Sequence, residues 1–333
     1  MTTVNKYALS ASSVLFDVCA GPDGNVWTCA YNDVVSKVTP AGVVTTYSGP
    51  SRAEGIIKGP DGNLWLTNAL AGGAGKMTPG GAFTSYGGSG IDTYGICAGP
   101  DGNLWYTYGT SLAATHIEAV TTGGSAVISV SPSSATNLPS ICTGPDGNLW
   151  VADTGNKLWQ VTTAGVCTAV TLASHAPGTS RRTVCAGPDG NLWVAAGGLW
   201  QVTTGEEGVS DRTRPASRLR PEFVSPGGPA ATYFAPSGVS ANCVCAGPDG
   251  NLWVGDQTHH CVWQINTSGV VLAQIVLTGS TPNSICAGPD GNIWVLDNTY
   301  AAYAVWQVVL AVVVAVAGGI VVGSIVIGPS GPS

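Results

Sequence analysis

Three aspartates recur at one spacing and are the residues of this chain best suited to holding a cation. Asp153, Asp256 and Asp297 each stand three residues after a tryptophan, at the end of an apolar run. Carboxylate oxygens brought together at one edge of a fold are typical ligands of a hard cation. The alternative, which the run Asp-Thr-Gly-Asn from Asp153 favours, is that each aspartate starts a turn by bonding to the backbone ahead of it.

The histidines and cysteines form no better metal motif. His259 and His260 are adjacent, so on a strand they would face opposite ways, and in a loop we expect them to be solvated. The ten cysteines include no Cys-x-x-Cys pair, the usual spacing of zinc ligands. We therefore predict no cofactor.

A repeated pentapeptide indicates which elements must position these side chains. Gly-Pro-Asp-Gly-Asn occurs seven times, and each copy is followed within two residues by a tryptophan; the copies begin at Gly21, Gly59, Gly99, Gly144, Gly187, Gly247 and Gly288. Around the fourth copy, four short apolar runs separated by turns predict four strands. Seven such units of about forty residues predict an all-β fold, a seven-bladed β-propeller of four-stranded blades with the tryptophans packed between blades.

The two ends of the repeat indicate how the ring closes. The segment 4–10 has the same offset from Cys19 as the segment 271–277 has from Cys286. Since 271–277 is predicted to be the outer strand of the sixth blade, the segment 4–10 is predicted to be an outer strand without a blade of its own. Pairing it with blade seven would remove an open sheet edge. We predict the propeller over residues 1–308, with a loop insertion at 206–229 and a hydrophobic segment at 309–333.

Charge and cysteine placement limit the function classes. The net charge is −7, from 12 basic and 19 acidic residues, and seven of the acidic residues are the aspartates of the repeated turn. The acidity therefore follows from turn geometry, and the lack of basic excess argues against a nucleic-acid partner. Six cysteines occupy one repeat position that is Ile57 in the second copy, which indicates small buried apolar residues. Reduced thiols and the absence of an apolar leader predict synthesis in the cytoplasm.

Four polar residues are predicted to line one mouth of the propeller, because each precedes the first strand of its blade. They are Glu54, Tyr94, Arg182 and Asn283. A mixed polar set of this kind suits a peptide or a cell-surface glycan.

Two further segments are candidates for docking. The insertion carries Arg212, Arg214, Arg218 and Arg220, which could meet an acidic polymer or could simply be a solvated loop. The segment from Val308 to Ile327 has no charge and is long enough to span a bilayer as a helix. Ala315, Gly319 and Gly323 have the small-xxx-small spacing of packed membrane helices, whereas Gly318-Gly319 could equally turn a hairpin of strands. Either form implies a partner, which would be a membrane or another structural protein.

The run Gly-Pro-Asp-Gly-Asn-Leu-Trp, with Lys-Leu-Trp-Gln-Val-Thr-Thr-Ala-Gly after it, resembles the virginiamycin B (streptogramin) lyase family and the wider group of NHL-type propellers. The resemblance covers about residues 4–308. It implies a seven-bladed fold and a lyase that opens a cyclic depsipeptide by elimination, with histidine, glutamate and Mg²⁺ at the mouth.

The chain departs from the family pattern at the places where that chemistry is expected. The resemblance implies histidine just before a first strand. Around that place this chain has Phe16-Asp17, Glu54-Gly55, Tyr94-Gly95, Pro139-Ser140, Arg182-Thr183, Asn242-Cys243 and Asn283-Ser284, none of which is histidine. It implies glutamate three residues after the repeat tryptophan, where this chain has Ala30, Asn68, Tyr108, Asp153, Ala196, Asp256 and Asp297. An elimination needs a positioned base and a positioned acid, and these positions supply no matching pair.

We therefore predict a non-enzymatic propeller for recognition or assembly. Similar propellers occur in minor tail proteins of phages, so a virion protein made in the host cytoplasm is the expected setting. The alternatives are a diverged lyase-like or lactonase-like enzyme with a metal at the mouth, and a membrane-tethered bacterial binding propeller.

Overall fold

The protein folds as a ring of four-stranded antiparallel sheets. The computed structural model describes residues 2–10, 14–69, 71–87, 92–111, 113–172, 182–204, 229–234, 236–300, 302–310, 313–316 and 319–322. Strands are the only regular elements within these ranges. The all-β prediction is thus confirmed.

Seven sheets form the seven predicted blades, each built from four strands in antiparallel order. The first strand, β1 (Thr3–Ala8), belongs to the last blade, and β2 (Leu15–Ala20), β3 (Val26–Ala30), β4 (Val34–Val38) and β5 (Val44–Ser48) form blade one. Blade two is β6 (Ile56–Lys58), β7 (Leu64–Thr67), β8 (Gly73–Met77) and β9 (Phe83–Gly87), and blade three is β10 (Asp92–Ala98), β11 (Leu104–Ser111), β12 (Ala113–Val120) and β13 (Ala126–Val130). Blade four is β14 (Ser140–Thr143), β15 (Leu149–Asp153), β16 (Lys157–Val161) and β17 (Cys167–Thr171), and blade five is β18 (Thr183–Ala186), β19 (Leu192–Ala196), β20 (Gly198–Thr203) and β21 (Ala230–Phe234). Blade six is β22 (Cys243–Ala246), β23 (Leu252–Asp256), β24 (Cys261–Ile265) and β25 (Val271–Val276), and blade seven is β26 (Pro282–Ala287), β27 (Ile293–Asp297), β28 (Ala304–Val309) and β1.

The ring closes through the N-terminal strand, as predicted. β1 pairs antiparallel with β28 from Thr3 opposite Val309 to Ala8 opposite Ala304. Tyr7 and Asn5 both bond to the Gln307 side chain, and Lys6 lies 3.4 Å from Asp297. This pairing extends to Val309, one residue past the predicted boundary at 308.

Each repeated turn locks its tryptophan to its aspartate. In all seven copies the indole N–H donates to the turn carboxylate over 2.9–3.1 Å. The seven tryptophans are at most 2 % exposed, and they pack with residues of the neighbouring blade, as Trp27 does with Ile56 and Leu64. The predicted packing role of these tryptophans is therefore confirmed.

A second contact between blades joins an aromatic ring to a glycine. Tyr47 stacks on Trp27 at 5.3 Å between ring centroids, and its ring fills the space where a Cβ of Gly81 in blade two would stand. Gly81 has a φ of +91°, which only glycine adopts readily. The same arrangement joins Tyr7 to Gly42, Tyr86 to Gly124 and Phe234 to Gly269.

The cysteines are free and lie against the blade cores. Burial raises the pKa of Cys97 and Cys185 to about 12, so these thiols stay protonated and behave as small apolar residues. This agrees with the interpretation drawn from their exchange with Ile57.

The C-terminal segment contains a separate hairpin. β29 (Val313–Val316) and β30 (Gly319–Val322) pair antiparallel and form a two-stranded sheet. Of the two alternatives, strands are found over 313–316 and 319–322, so the helical spacing does not apply to Ala315 and Gly319, which lie in different strands. Gly323 lies outside the described residues. Among the described residues there is no helix of the length and apolar character needed to cross a membrane.

Candidate functional site

The inner strands surround a small cavity on the face where they begin. The first strand of each blade contacts the first strand of the next around the ring. The cavity has a volume of about 120 Å³ and is lined mainly by polar and small residues, which are Phe16, Asp17, Glu54, Gly95, Ile96, Pro139, Ser140, Ile141, Thr183, Asn283 and Ser284. This is the mouth predicted from the repeat.

Two of the four predicted mouth residues line this cavity and two do not. Glu54 and Asn283 are lining residues. The Asn283 amide donates to the carbonyl oxygens of Leu15 and Phe16, so it also ties blade seven to blade one. Tyr94 and Arg182 do not line the cavity, whereas the residues that follow them, Gly95 and Thr183, do.

Arg182 is buried and joins two blades. Its guanidinium donates to the Asp153 carbonyl oxygen over 3.2 Å and to the Asn156 side chain over 2.7 Å. Burial lowers the pKa of Arg182, while Asp153 opposes that shift. The side chain therefore connects blade five to the turn at the end of β15 and is not presented to the cavity.

Tyr94 belongs to a charged cluster beside the cavity. Arg52 donates to Asp92 over 2.9 Å and contacts Glu54 at 3.4 Å, and its guanidinium lies 5.4 Å from the Tyr31 ring centre. Burial first, and then the charges of Glu54 and Asp92, raise the pKa of Tyr94 to about 12, so its phenol remains a hydrogen-bond donor. Arg52 holds a φ of +54°, a strained value for a residue with a side chain.

The residue two places before the repeat cysteine was not among the predicted site residues, yet it joins blades at the cavity. Asp17 accepts from Ile56 N of blade two and from the Ser284 hydroxyl of blade seven. Ser140 and Thr183 each accept the corresponding N–H of the next blade. Where this position is Gly55 or Gly95, a Cβ would meet backbone atoms of the next blade at 2.8–3.4 Å. The alternation of Asp, Ser and Thr with Gly at this position was the available signal.

The three candidate metal-binding aspartates are each satisfied within the blade and the turns beside it. Asp153 accepts from Gly155 N over 2.8 Å, from Trp159 Nε1 over 2.9 Å and from Thr136, and it is fully buried. Although burial opposes it, the bonds from Thr136 and Trp159 lower the pKa of Asp153. Asp256 and Asp297 bond in the same way to the third-strand indoles of Trp263 and Trp306. The turn interpretation therefore describes all three.

The histidines and the remaining acids do not assemble a metal site either. His259 Nδ1 lies 2.8 Å from Asp256, His260 Nδ1 contacts the Ser280 carbonyl oxygen, and His116 stacks on Tyr108. Across the described ranges, no three His, Cys, Asp or Glu residues are grouped so that they could hold a metal ion. The carboxylates of Asp153, Asp256 and Asp297 accept hydrogen bonds from their own turns and indoles, so they are not presented as ligands for the Mg²⁺ that the family resemblance implies. The predicted docking arginines, Arg212, Arg214, Arg218 and Arg220, lie outside the described residues.

The fold and this mouth define a seven-bladed β-propeller with a small polar cavity on its axis. The model of the virginiamycin B lyase family matches residues 2–235, and the chain belongs to that family. No curated protein matches the sequence.

Solved structures share the fold at low identity. A streptogramin B lyase aligns with a TM-score of 0.73 and 19 % identity over 92 % of this chain and 98 % of that one. A catalytically inactive histidine-to-alanine variant of virginiamycin B lyase from Staphylococcus aureus, with quinupristin, aligns with a TM-score of 0.74 and 19 % identity over 93 % and 100 %. The WD40 β-propeller domain of Doa1 aligns with a TM-score of 0.67 and 12 % identity over 92 % and 97 %.

Proposed function

We propose that this protein is a non-enzymatic propeller used for recognition or assembly. The observation that carries the proposal is the composition of the mouth. None of the seven residues that stand three places before the repeat cysteine position is histidine, although a histidine-to-alanine variant of the Staphylococcus aureus lyase is catalytically inactive. The carboxylates of Asp153, Asp256 and Asp297 already accept hydrogen bonds from their own turns and from the third-strand indoles, so they are poorly suited to binding Mg²⁺.

The test is a ring-opening assay. The protein is incubated with quinupristin and Mg²⁺, and the linear product is followed by chromatography because elimination leaves the mass unchanged. The Staphylococcus aureus lyase and its inactive variant serve as the positive and negative controls. We expect this protein to match the inactive variant, and turnover well above that background would overturn the proposal.

Recognition is assigned to the cavity and the polar cluster beside it. Glu54 supplies a carboxylate, the Ser140 and Thr183 hydroxyl groups can donate because their bonds within the protein are accepted N–H bonds, and Tyr31 supplies an exposed aromatic surface. Aromatic surface beside polar groups suits a glycan or a peptide. A phage virion, with the propeller held on the tail, is the setting we propose.

Assembly is assigned to the segment beyond Leu310. Leu310 still belongs to the propeller, because its N–H donates to Asn292 and its side chain packs against the core between blades six and seven. Light scattering of the full chain and of a chain ending at Leu310, each with and without liposomes, separates the options. Self-association of the full chain alone supports assembly, liposome binding alone supports the membrane-tethered alternative, and two equal monomers would contradict both.

A second candidate is a diverged lyase-like or lactonase-like enzyme. It is favoured by one observation, which is that Glu54 stands where the family resemblance implies a catalytic histidine and lines the cavity close to the neutral phenol of Tyr94. A carboxylate and a phenol could serve as base and acid. Hydrolysis or elimination of a lactone panel that is lost in Glu54→Gln and kept in Asp33→Asn would establish this candidate.

A further inference from the structure

The inner edge of each first strand directs N–H groups towards the axis of the propeller. Paired residues of antiparallel strands alternate between those that exchange hydrogen bonds and those whose N–H groups point away from the partner strand. Gly144 N donates to Asn148 O at the turn of blade four, so the alternation places Ile141, opposite Val151, among the second kind. The turn of blade three gives the same result for Ile96. Both N–H groups therefore point away from the second strand of their blade, towards the axis.

In other blades, a side chain of the preceding blade accepts this axial N–H. The Val184 N–H donates to Ser140 Oγ over 3.3 Å, and the Val244 N–H donates to Thr183 Oγ1 over 3.2 Å. Each of these acceptors stands two places before the repeat cysteine of its own blade. A hydroxyl group at this position can thus satisfy the axial N–H of the next blade.

Two successive blades have glycine at this position and so lack that acceptor. The missing Cβ of Gly55 would lie 3.4 Å from Ile96 N, and the missing Cβ of Gly95 would lie 3.1 Å from Ile141 N. Among the described residues, neither of these N–H groups has a hydrogen-bond acceptor. Gly95, Ile96 and Ile141 all line the mouth cavity. Since buried N–H groups need an acceptor, this wall of the cavity is suited to a carbonyl oxygen of a ligand.

Glu54 places a hydrogen-bond acceptor in the same cavity. It lines the cavity next to Gly55 in the chain, and its carboxylate contacts Arg52 at 3.4 Å. An ionised carboxylate accepts hydrogen bonds and does not donate them. Asp17 is the second acid of the lining, and the described lining includes no basic side chain, so an anionic ligand would be repelled. A neutral ligand with both a carbonyl oxygen and an N–H group, which is an amide, matches these donors and this acceptor.

The rest of the lining is suited to a small apolar group beside a sugar ring. Phe16, Ile96, Pro139 and Ile141 contribute apolar surface to the cavity. The Tyr31 ring lies 6.2 Å from the Phe16 ring, between centroids, and Tyr31 is 49 % exposed. An exposed aromatic ring with a polar end can pack on a ligand that is partly apolar and partly wet. A methyl group inside the cavity and a sugar next to Tyr31 would use both surfaces.

We propose that the mouth cavity binds the acetamido group of an N-acetylated amino sugar. The carbonyl oxygen accepts from the axial N–H groups of Ile96 and Ile141, the amide N–H donates to Glu54, and the methyl group lies against the apolar lining. An amide inside a peptide carries chain on both sides, whereas an acetamido group ends in a methyl that a cavity of about 120 Å³ can enclose. This inference rests on the proposed recognition role of the mouth, and it names the chemical class of the ligand.

The first test is saturation-transfer NMR with N-acetylglucosamine as the probe. Glucosamine, which has an ammonium group in place of the acetamido group, and glucose are the matched sugars, and N-acetylglycinamide is the peptide-like acetamide. We expect N-acetylglucosamine to bind, with the strongest saturation on its acetyl methyl protons. Glucosamine and glucose should give no signal at the same concentrations.

Variants of the cavity then locate the binding. Gly95→Ser gives the Ile141 N–H the hydroxyl acceptor that Ser140 gives Val184, and it should weaken binding of N-acetylglucosamine about tenfold, because the ligand carbonyl loses a donor. Glu54→Gln should weaken binding several-fold. Gly123→Ser adds the same side chain in the exposed turn between β12 and β13 and should bind like the parent. Because a Cβ on Gly95 would lie 3.0 Å from Ser140 Cα, urea unfolding checks that this variant is folded, and Glu54→Gln gives an independent readout.

The outcomes separate this inference from the proposed function. Equal binding of glucose or glucosamine would overturn the role of the acetamido group and leave glycan recognition standing. Binding of N-acetylglycinamide alone would overturn the sugar and leave recognition of a peptide. Unchanged affinity in both Gly95→Ser and Glu54→Gln, or no binding of any probe, would also overturn the inference, whereas the non-enzymatic role fails only if the protein opens quinupristin.

Discussion

Replacing Asp153 with asparagine distinguishes a structural aspartate from a metal ligand. Asp153 Oδ2 accepts from the buried Trp159 indole, and Oδ1 accepts from Gly155 N and the Thr136 hydroxyl. Whichever oxygen becomes the amide NH₂ group will face an N–H or O–H donor. Hydrogen bonds to a charged group contribute about 1.5–3 kcal/mol and an orphaned buried donor costs about 1–3 kcal/mol. We therefore expect Asp153→Asn to lower the free energy of unfolding by about 3 kcal/mol.

The assay is urea unfolding followed by tryptophan fluorescence, in EDTA and in Mg²⁺. The loss should be the same in both, because the contacts broken are within the protein. Asp33→Asn makes the same charge change on an exposed turn and should stay within about 0.5 kcal/mol of the parent. In a Trp159→Phe background, which removes the indole N–H, the cost of Asp153→Asn should fall by about 1–2 kcal/mol. A loss below about 1 kcal/mol, or one that appears only with Mg²⁺, would refute the reasoning.

Three further predictions concern the repeat. Gly81→Ala should destabilise the protein more than Gly62→Ala, because both glycines have positive φ but only Gly81 has a tyrosine ring in the Cβ position. The stabilities of the two variants are compared by their urea midpoints, and equal losses of stability would contradict the aromatic contact. Hydrogen bonds from Trp27 and Asn25, working against burial, lower the pKa of Asp23, and the turn aspartates Asp61, Asp101, Asp146, Asp189 and Asp249 are lowered in the same way. A carboxylate with a lowered folded-state pKa stabilises above its unfolded value, so stability should be flat near neutral pH and fall as the pH drops below about 3.8; a transition already complete at pH 5 would be inconsistent with this. The thiols of the native protein should resist iodoacetamide at pH 8, because burial raises the pKa of Cys97 and Cys185 to about 12, and they should react after urea unfolding. Labelling is followed by mass spectrometry, and rapid modification of Cys97 or Cys185 in the native protein would disprove the burial argument.

The repeat made the fold predictable because one spacing encodes both a turn and its packing. A tryptophan after each Gly-Pro-Asp-Gly-Asn turn fixed the blade count, and the offset of segment 4–10 from Cys19 fixed the closure. The spacing of the repeat could not reveal which side chains form hydrogen bonds with each other. The glutamine after each third-strand tryptophan bonds the turn aspartate, as Gln160 does with Asp146, and nothing in the spacing indicated that contact.

The site was less predictable because neighbouring positions of one strand have different surroundings. Glu54 reaches the cavity, whereas Arg182, at the same repeat position, is drawn into a contact with blade four. Which of the two occurs depends on the adjoining blade. Asp17 was not predicted as a site residue for the same reason, because its side chain bonds to blades two and seven.

The strand that closes the ring, β1, is synthesised long before the strand it pairs with, β28. Tyr7 and its partner Gln307 are 300 residues apart, so at about 5–20 residues per second the ribosome takes on the order of 15–60 s to deliver the second after the first. For that time β1 is a strand without a partner, and blades one to six can form while the circle is still open. The last contact to be made is therefore also the one that holds the whole chain shut, and a translational pause before Ala304 would prolong the period in which an open ring can pair with another chain.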